Sequence, residues 1–256
     1  MSKLLPMPLK QWDQYLIATS LLALVALAWA YLLVLDSNMQ SMPNMVSGIH
    51  PWTPADFVMM FLMWAVMMFA MMVPSAMRSV LIFARISPTE EHRDLLVTPA
   101  FAFGYIVIWI LFSILATTLQ WVLEMAALLS PMMVVTSGSL GAAFLIAAGI
   151  YQLTPLKNSC LRHCQSPAMF MAAHYKKGMR GAFQLGSTHG VYCLGCCWLL
   201  MGLLFVGGVM NLIWILAISL FVLAEKLLPP KIRSTSITSL IMIAVGSVYL
   251  LESTLG

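Results

Sequence analysis

Residues 181–224 read GAFQLGSTHGVYCLGCCWLLMGLLFVGGVMNLIWILAISLFVLA, 44 consecutive positions without a charged side chain. A helix needs about 20 residues to cross a bilayer, so this run predicts two helices. Gly207-Gly208 followed by Asn211 is the natural reversal, because glycine takes positive φ without steric cost. Working outward, other uncharged runs lie between Asp13 and Asp36, Asp56 and Arg78, Asp94 and Glu124, and Glu124 and Lys157, and a last one spans Ser234 to Leu251. The expected fold is all-α: one polytopic domain of seven helices at about 15–35, 57–77, 101–121, 136–154, 184–206, 209–227 and 234–251. The Tyr15–Leu35 run exceeds a signal-peptide core and reads as a retained helix. With 61% hydrophobic and 9% charged residues, the chain has the balance of a membrane protein.

The basic residues orient it. With the N-terminus in the cytoplasm, all 13 Lys and Arg fall on the inner side. They are Lys3 and Lys10, then Arg78, Arg85 and Arg93, then Lys157, Arg162, Lys176, Lys177 and Arg180, then Lys226, Lys231 and Arg233. Six spans would break that positive-inside alternation, so the C-terminus is expected outside. The net charge of +4 therefore needs no nucleic-acid partner.

Within the opening stretch lie His189, Cys193, Cys196 and Cys197, three of the five cysteines beside one of the five histidines. On a helix, His189, Cys193 and Cys196 share a sector of roughly 60°, with Cys197 at its edge. Cysteine also serves as a small buried hydrophobe, but three thiols within five positions beside a histidine favour a metal site. His189 and Cys196 are two turns apart, roughly 10 Å along the axis, so one ion cannot take both. Pairs such as His189 with Cys193, or Cys193 with Cys196 or Cys197, need ligands from elsewhere.

Methionine is the compositional anomaly, at 22 residues. Met60, Met63, Met67 and Met71 form a stripe on the second helix, spanning roughly 16 Å of rise. Neighbouring pairs, not all four, fit one ion. On the helix alone packing is the favoured account of such a stripe, but depth shifts the balance, because Met67 and Cys196 are expected at the same level. Met39, Met42 and Met45 in the first outer loop, followed by His50, form a further thioether cluster or an incidental one. On the inner side, Cys160, His163 and Cys164 are either a metal site or plain reduced thiols. Glu225-Lys226 reads as a local ion pair near the headgroups, and Pro74-Ser75 as a kink.

Thioether and thiolate ligands select Cu(I). A monovalent ion held by one thiolate and neutral ligands carries no net charge into a low-dielectric interior. Zinc remains possible through two thiolates. No phosphate loop, hydrolase triad or catalytic acidic pair occurs, so an enzyme is not expected.

Several motifs together resemble a bacterial family of predicted metal-binding integral membrane proteins similar to copper chaperones. They are Met63-Trp64 through Ala70-Met71-Met72-Val73-Pro74-Ser75, Thr154-Pro155-Leu156-Lys157 with Cys160-Leu161-Arg162-His163-Cys164, His189-Gly190 with Tyr192 through Trp198, Gly207 through Asn211, and Glu225-Lys226. The resemblance implies residence in the bacterial inner membrane and a role with copper. The leading expectation is a protein that handles Cu(I) between the outer Met loop, the Met stripe and the Cys-His cluster, for delivery to a copper enzyme or exchange with a soluble copper carrier. Two rivals stand beside it. One is a thiol-disulfide oxidoreductase using Cys193 and Cys196, and the other is a structural metal-binding subunit of a larger membrane complex. Oligomeric state is not legible.

Overall fold

The computed structural model describes residues 11–41, 52–87, 96–130, 133–228 and 234–255. Among them the regular secondary structure is all helical, joined by short connections, one of which carries an isolated bridge between Leu129 and Val135. The helices are α1 (Gln11–Ser41), α2 (Pro54–Ile86), α3 (Val97–Met125), α4 (Gly138–Leu153), α5 (Pro155–Gln165), α6 (Pro167–His174), α7 (Gly178–Gly202), α8 (Leu204–Gly207), α9 (Leu212–Leu227) and α10 (Ser234–Leu255). Five are long and apolar enough to cross a membrane: α1, α2, α3, α7 together with α8, and α10. A sixth arises if α4 and α5, bent by 67° at Thr154, are one broken span.

Local chemistry explains the boundaries. Thr53 and Asp56 form a reciprocal capping box at the start of α2, with Pro54 in the first turn where its missing N–H costs nothing. Pro74 lies inside α2 without ending it, and Ser75 Oγ donates to the Met72 carbonyl at 2.8 Å. Thr154 caps α5 from the end of α4, and Pro155 opens the new axis. Gly208, at φ +97°, makes the reversal inside the 44-residue run, and the Asn211 side chain caps α9 by accepting from Trp214 N.

The buried centre is formed by α2 and α7. Trp64, Met67, Met68, Met71 and Met72 of α2 share one core with Cys193, Cys196, Cys197 and Leu200 of α7. A second core stacks Phe83 on Phe101 at 4.6 Å and includes Phe170 and Leu185. By contrast α1 and α10 turn mostly outward, with Leu27, Leu33, Ile237, Leu240 and Val245 exposed as a lipid-facing surface requires.

Without a hydrophobic force between helices in lipid, close packing at small residues holds them together. On the α3–α7 contact, a Cβ at Gly186 would run into the Phe101 carbonyl and stand 3.0 Å from its Cα. Those atoms are backbone and cannot swing aside. Gly186→Val is therefore expected to separate α3 from α7 and lower the thermal unfolding midpoint in detergent by several degrees. An unchanged midpoint would remove this contact from the account of stability.

Two ionisable groups differ from the sequence expectation. Glu225 and Lys226 do not pair with each other at a headgroup surface. Glu225 instead accepts both oxygens' worth of contact from Lys157 Nζ, at 2.7 and 2.8 Å, and this pair is buried, with side-chain exposures of 0% and 3%. Lys226 points the other way along the helix surface, into the core, at 4% exposure. Successive residues on a helix diverge by about 100°, so adjacent opposite charges need not meet.

Candidate metal centre

Cys193 is the hub. Its Sγ lies 2.9 Å from Lys226 Nζ, which donates to it from α9, and 3.0 Å from the Tyr105 hydroxyl of α3. Lys226 Nζ also donates to Ser75 Oγ at 3.0 Å and lies 3.9 Å from Met72 Sδ, both on α2. The Tyr105 hydroxyl reaches the Met72 carbonyl at 3.2 Å. Three helices thus meet at one thiol, and α2 joins them through Lys226 and Tyr105. Cys164 of α5 faces the Cys193 and Cys196 thiols closely enough to interact with both, and Cys197 stands near the same two.

The remaining thiols follow from helix geometry. Cys196 and Cys197 donate to the Cys193 carbonyl at 3.0 and 3.1 Å, the local bonds available to residues three and four positions on. All five cysteines are free thiols. Among the described residues, no three His, Cys, Asp or Glu side chains form a group set to hold a metal ion. The reason is visible in those bonds: two thiols are turned onto a carbonyl, and an ammonium group sits against the third.

His189 lies one turn below Cys193 at 2% exposure, enclosed by the rings of Phe101, Tyr105 and Phe170. Its Nδ1 has no hydrogen-bond partner. A buried imidazole nitrogen without a partner costs free energy, so this atom is a free donor position near the thiols. The donor set of thiols, a thioether and an imidazole is the kind that soft cations prefer.

The other predicted positions distribute as follows. Met63, Met67 and Met71 are buried at 4%, 1% and 1% in the same core as the cysteines, while the thioether that stands against Lys226 belongs to Met72. Cys160 packs its sulfur over Gly195, where a Cβ would come within 2.8 Å of it, and Tyr151 donates to the Gly195 carbonyl from α4. His163 stacks on Tyr192 at 4.1 Å and bonds the Ser159 carbonyl through Nδ1, away from the thiols. Met39 belongs to the last turn of α1, and Met42, Met45 and His50 lie outside the described residues.

Tyr105, Ser75, Met72 and Lys226 complete the centre and were not singled out as ligand neighbours by spacing. Lys226 carries the one available signal: a lysine at the end of an apolar helix, in step with apolar positions Ile215, Ile218 and Val222 that are also buried.

The model of the PpoB2 copper chaperone family matches residues 61–249. The chain belongs to that family. The match runs from the N-terminal quarter of α2 into α10 and so takes in every residue of the Cys193 centre. Membership ties the chain to copper, in keeping with the soft donors gathered there. Neither a curated protein nor a solved structure matches the chain.

Proposed function

We propose that this copper chaperone family member carries Cu(I) as cargo at the Cys193 centre and passes it to a copper enzyme, directly or through a soluble carrier. The observation that carries the reading is the buried Cys193 thiol in contact with a cationic group that also reaches the Met72 thioether of α2, while thiols of α5 and α7 interact with Cys193. With Cys193 and Cys196 as thiolates, the Lys226 ammonium offsets one of the two negative charges, so a monovalent cation leaves the assembly neutral inside the bundle. Cys193 and Cys196 are the proposed anionic ligands. His189, Met72 and Cys164 are neutral candidates beside them, and Cys197, Met67, Met71 and Met63 form the surrounding soft wall. Cys160 and His163, on the rim helix α5, and Met39, Met42 and Met45, near the end of α1, are proposed as relay positions on either side. Zinc is the competing cargo.

Seven crossings complete the proposal, with α4 and α9 as the short ones. Each has 16 residues, a rise of about 24 Å, less than the roughly 30 Å apolar thickness, and so requires local thinning or the reach of flanking residues, which for α4 include the bent α5. The distribution of Lys and Arg supports a cytoplasmic N-terminus and an outer C-terminus in the inner membrane of a bacterium, as a single domain.

The test is copper retention by purified protein in detergent, titrated with Cu(I) against a chromogenic chelator. Wild type is expected to hold a copper ion with thiolate sulfur in its X-ray absorption spectrum. Cys193→Ala with Cys196→Ala is expected to hold at least one ion fewer and to lose the thiolate signature. Equal copper in both proteins would reject the assignment. Release of the ion to excess chelator within minutes is expected of cargo, whereas a structural ion would stay.

A further inference from the structure

A second cluster of soft donors lies twelve residues before Met72 on α2, about 18 Å away along the helix axis. Its centre is Gln120 of α3, a fully buried amide. Trp64 Nε1 donates to Gln120 Oε1 at 2.7 Å. An indole N–H can only donate, so this contact fixes which way the amide faces. The Gln120 NH₂ group is therefore turned toward three acceptors: Glu124 Oε1 at 3.0 Å, Met133 Sδ at 3.4 Å and Met60 Sδ at 3.7 Å. The other carboxylate oxygen, Glu124 Oε2, accepts from Trp52 Nε1 at 2.6 Å.

Thioethers are weak acceptors, and two of them on one amide make a poor hydrogen-bond arrangement. Two thioethers at one electropositive point, however, suit a soft monovalent cation, and the carboxylate beside them, a harder donor, supplies one neutralising charge. The backbone adds an independent observation. Met133 adopts φ +56°, a left-handed conformation that is unfavourable for a residue with a Cβ. A tight turn imposes it, with Met133 N donating to the Ser130 carbonyl and Ser130 N to the Val134 carbonyl, both at 2.8 Å. The strained residue delivers its thioether, 6% exposed, to Gln120.

We infer that Met60, Met133 and Glu124 form a second Cu(I) site, a transfer station near the N-terminal end of α2, about three turns from the Cys193 centre at mid-helix. The cation takes the place of the Gln120 amide hydrogens as that side chain rotates aside. One carboxylate neutralises one monovalent charge, so the loaded site carries no net charge into the bundle. A divalent ion would leave one positive charge without compensation. Glu124 is half-buried and provides the approach, and Trp52 holds its second oxygen in place. This inference rests on the reading of the chain as a Cu(I) carrier, but uses none of its cysteines.

That separation makes the test clean. Full-length Cys193→Ala/Cys196→Ala protein is titrated with Cu(I) against a chelator. It is expected to bind one ion with sulfur and oxygen neighbours and no thiolate in its X-ray absorption spectrum. Met60→Leu and Met133→Leu, close in volume to the original residues and expected to fold, should each weaken that ion at least tenfold, and Glu124→Gln should do the same. Copper held equally by all three variants would overturn the site. So would a Cys193→Ala/Cys196→Ala background that binds nothing while wild type binds thiolate copper. Copper in that background, with no thiolate signal in wild type, would uphold this site and reject the Cys193 centre instead. Absence of copper from every protein would reject both.

Discussion

Replacing Lys157 with methionine is expected to destabilise the bundle by about 3–5 kcal/mol, the cost of leaving one member of a buried ion pair alone. Lys157 Nζ holds both oxygens of Glu225, and neither side chain is more than 3% exposed. Glu225 keeps no equivalent cation, because the neighbouring Lys226 is directed at Cys193 and Ser75. The pair also joins α5 to α9, so its loss frees the bent element that brings Cys164 to the thiols. The informative comparison is with Lys157→Met/Glu225→Leu. A buried pair replaced by apolar residues of similar volume is often neutral, so the double variant should recover most of the loss. Thermal unfolding in detergent, run as a double-mutant cycle, measures the coupling. A single variant as stable as wild type, or a double variant no better than the single, would refute the account.

Lys226→Met is expected to change which ion the Cys193 centre prefers. With two thiolates from Cys193 and Cys196 and the Lys226 ammonium nearby, Cu(I) gives a neutral assembly and Zn²⁺ one with a surplus positive charge. Removing the ammonium reverses this, leaving the zinc form neutral and the copper form anionic. Two unit charges 4 Å apart interact by about 4 kcal/mol at an effective dielectric constant of 20. A shift in the Cu(I)-to-Zn²⁺ affinity ratio of about a hundredfold, or roughly 3 kcal/mol, lies within that ceiling. Methionine preserves the length of the apolar stem, and Lys226→Leu beside it removes the same charge without bringing a further soft donor to the thiols. Competition titrations with both ions on each protein give the ratio directly. An unchanged ratio would show that Lys226 does not select the cargo.

Much of this protein was legible along the chain. Long uncharged runs can satisfy their backbone in lipid only as helices, and the 44-residue run had to contain a reversal, which falls at Gly208 with φ +97°. The Cys-His stretch was visible as chemistry because soft ligands are sparse in apolar helices. Even the limit of that stretch was legible, since one straight helix cannot bring His189 and Cys196 to one ion.

What spacing could not supply was the company each residue keeps. Periodicity reports the face of a helix but not its rotation against a neighbour. The choice of Met72, which stands against Lys226, from a row of buried methionines was therefore decided by how α2 packs on α9. The same holds for Lys226, whose charge reads in the sequence as an inner-surface anchor. Its partner is a thiol 33 positions away, and Glu225 finds its own 68 positions away on α5. Gln120 and Met133 are unremarkable in sequence and meet only because a strained turn folds back onto α3. Helices and their apolar character are properties of short segments, so the sequence alone determined them. Pairings between buried polar groups depend on where whole helices sit relative to one another, and only the tertiary structure decides that.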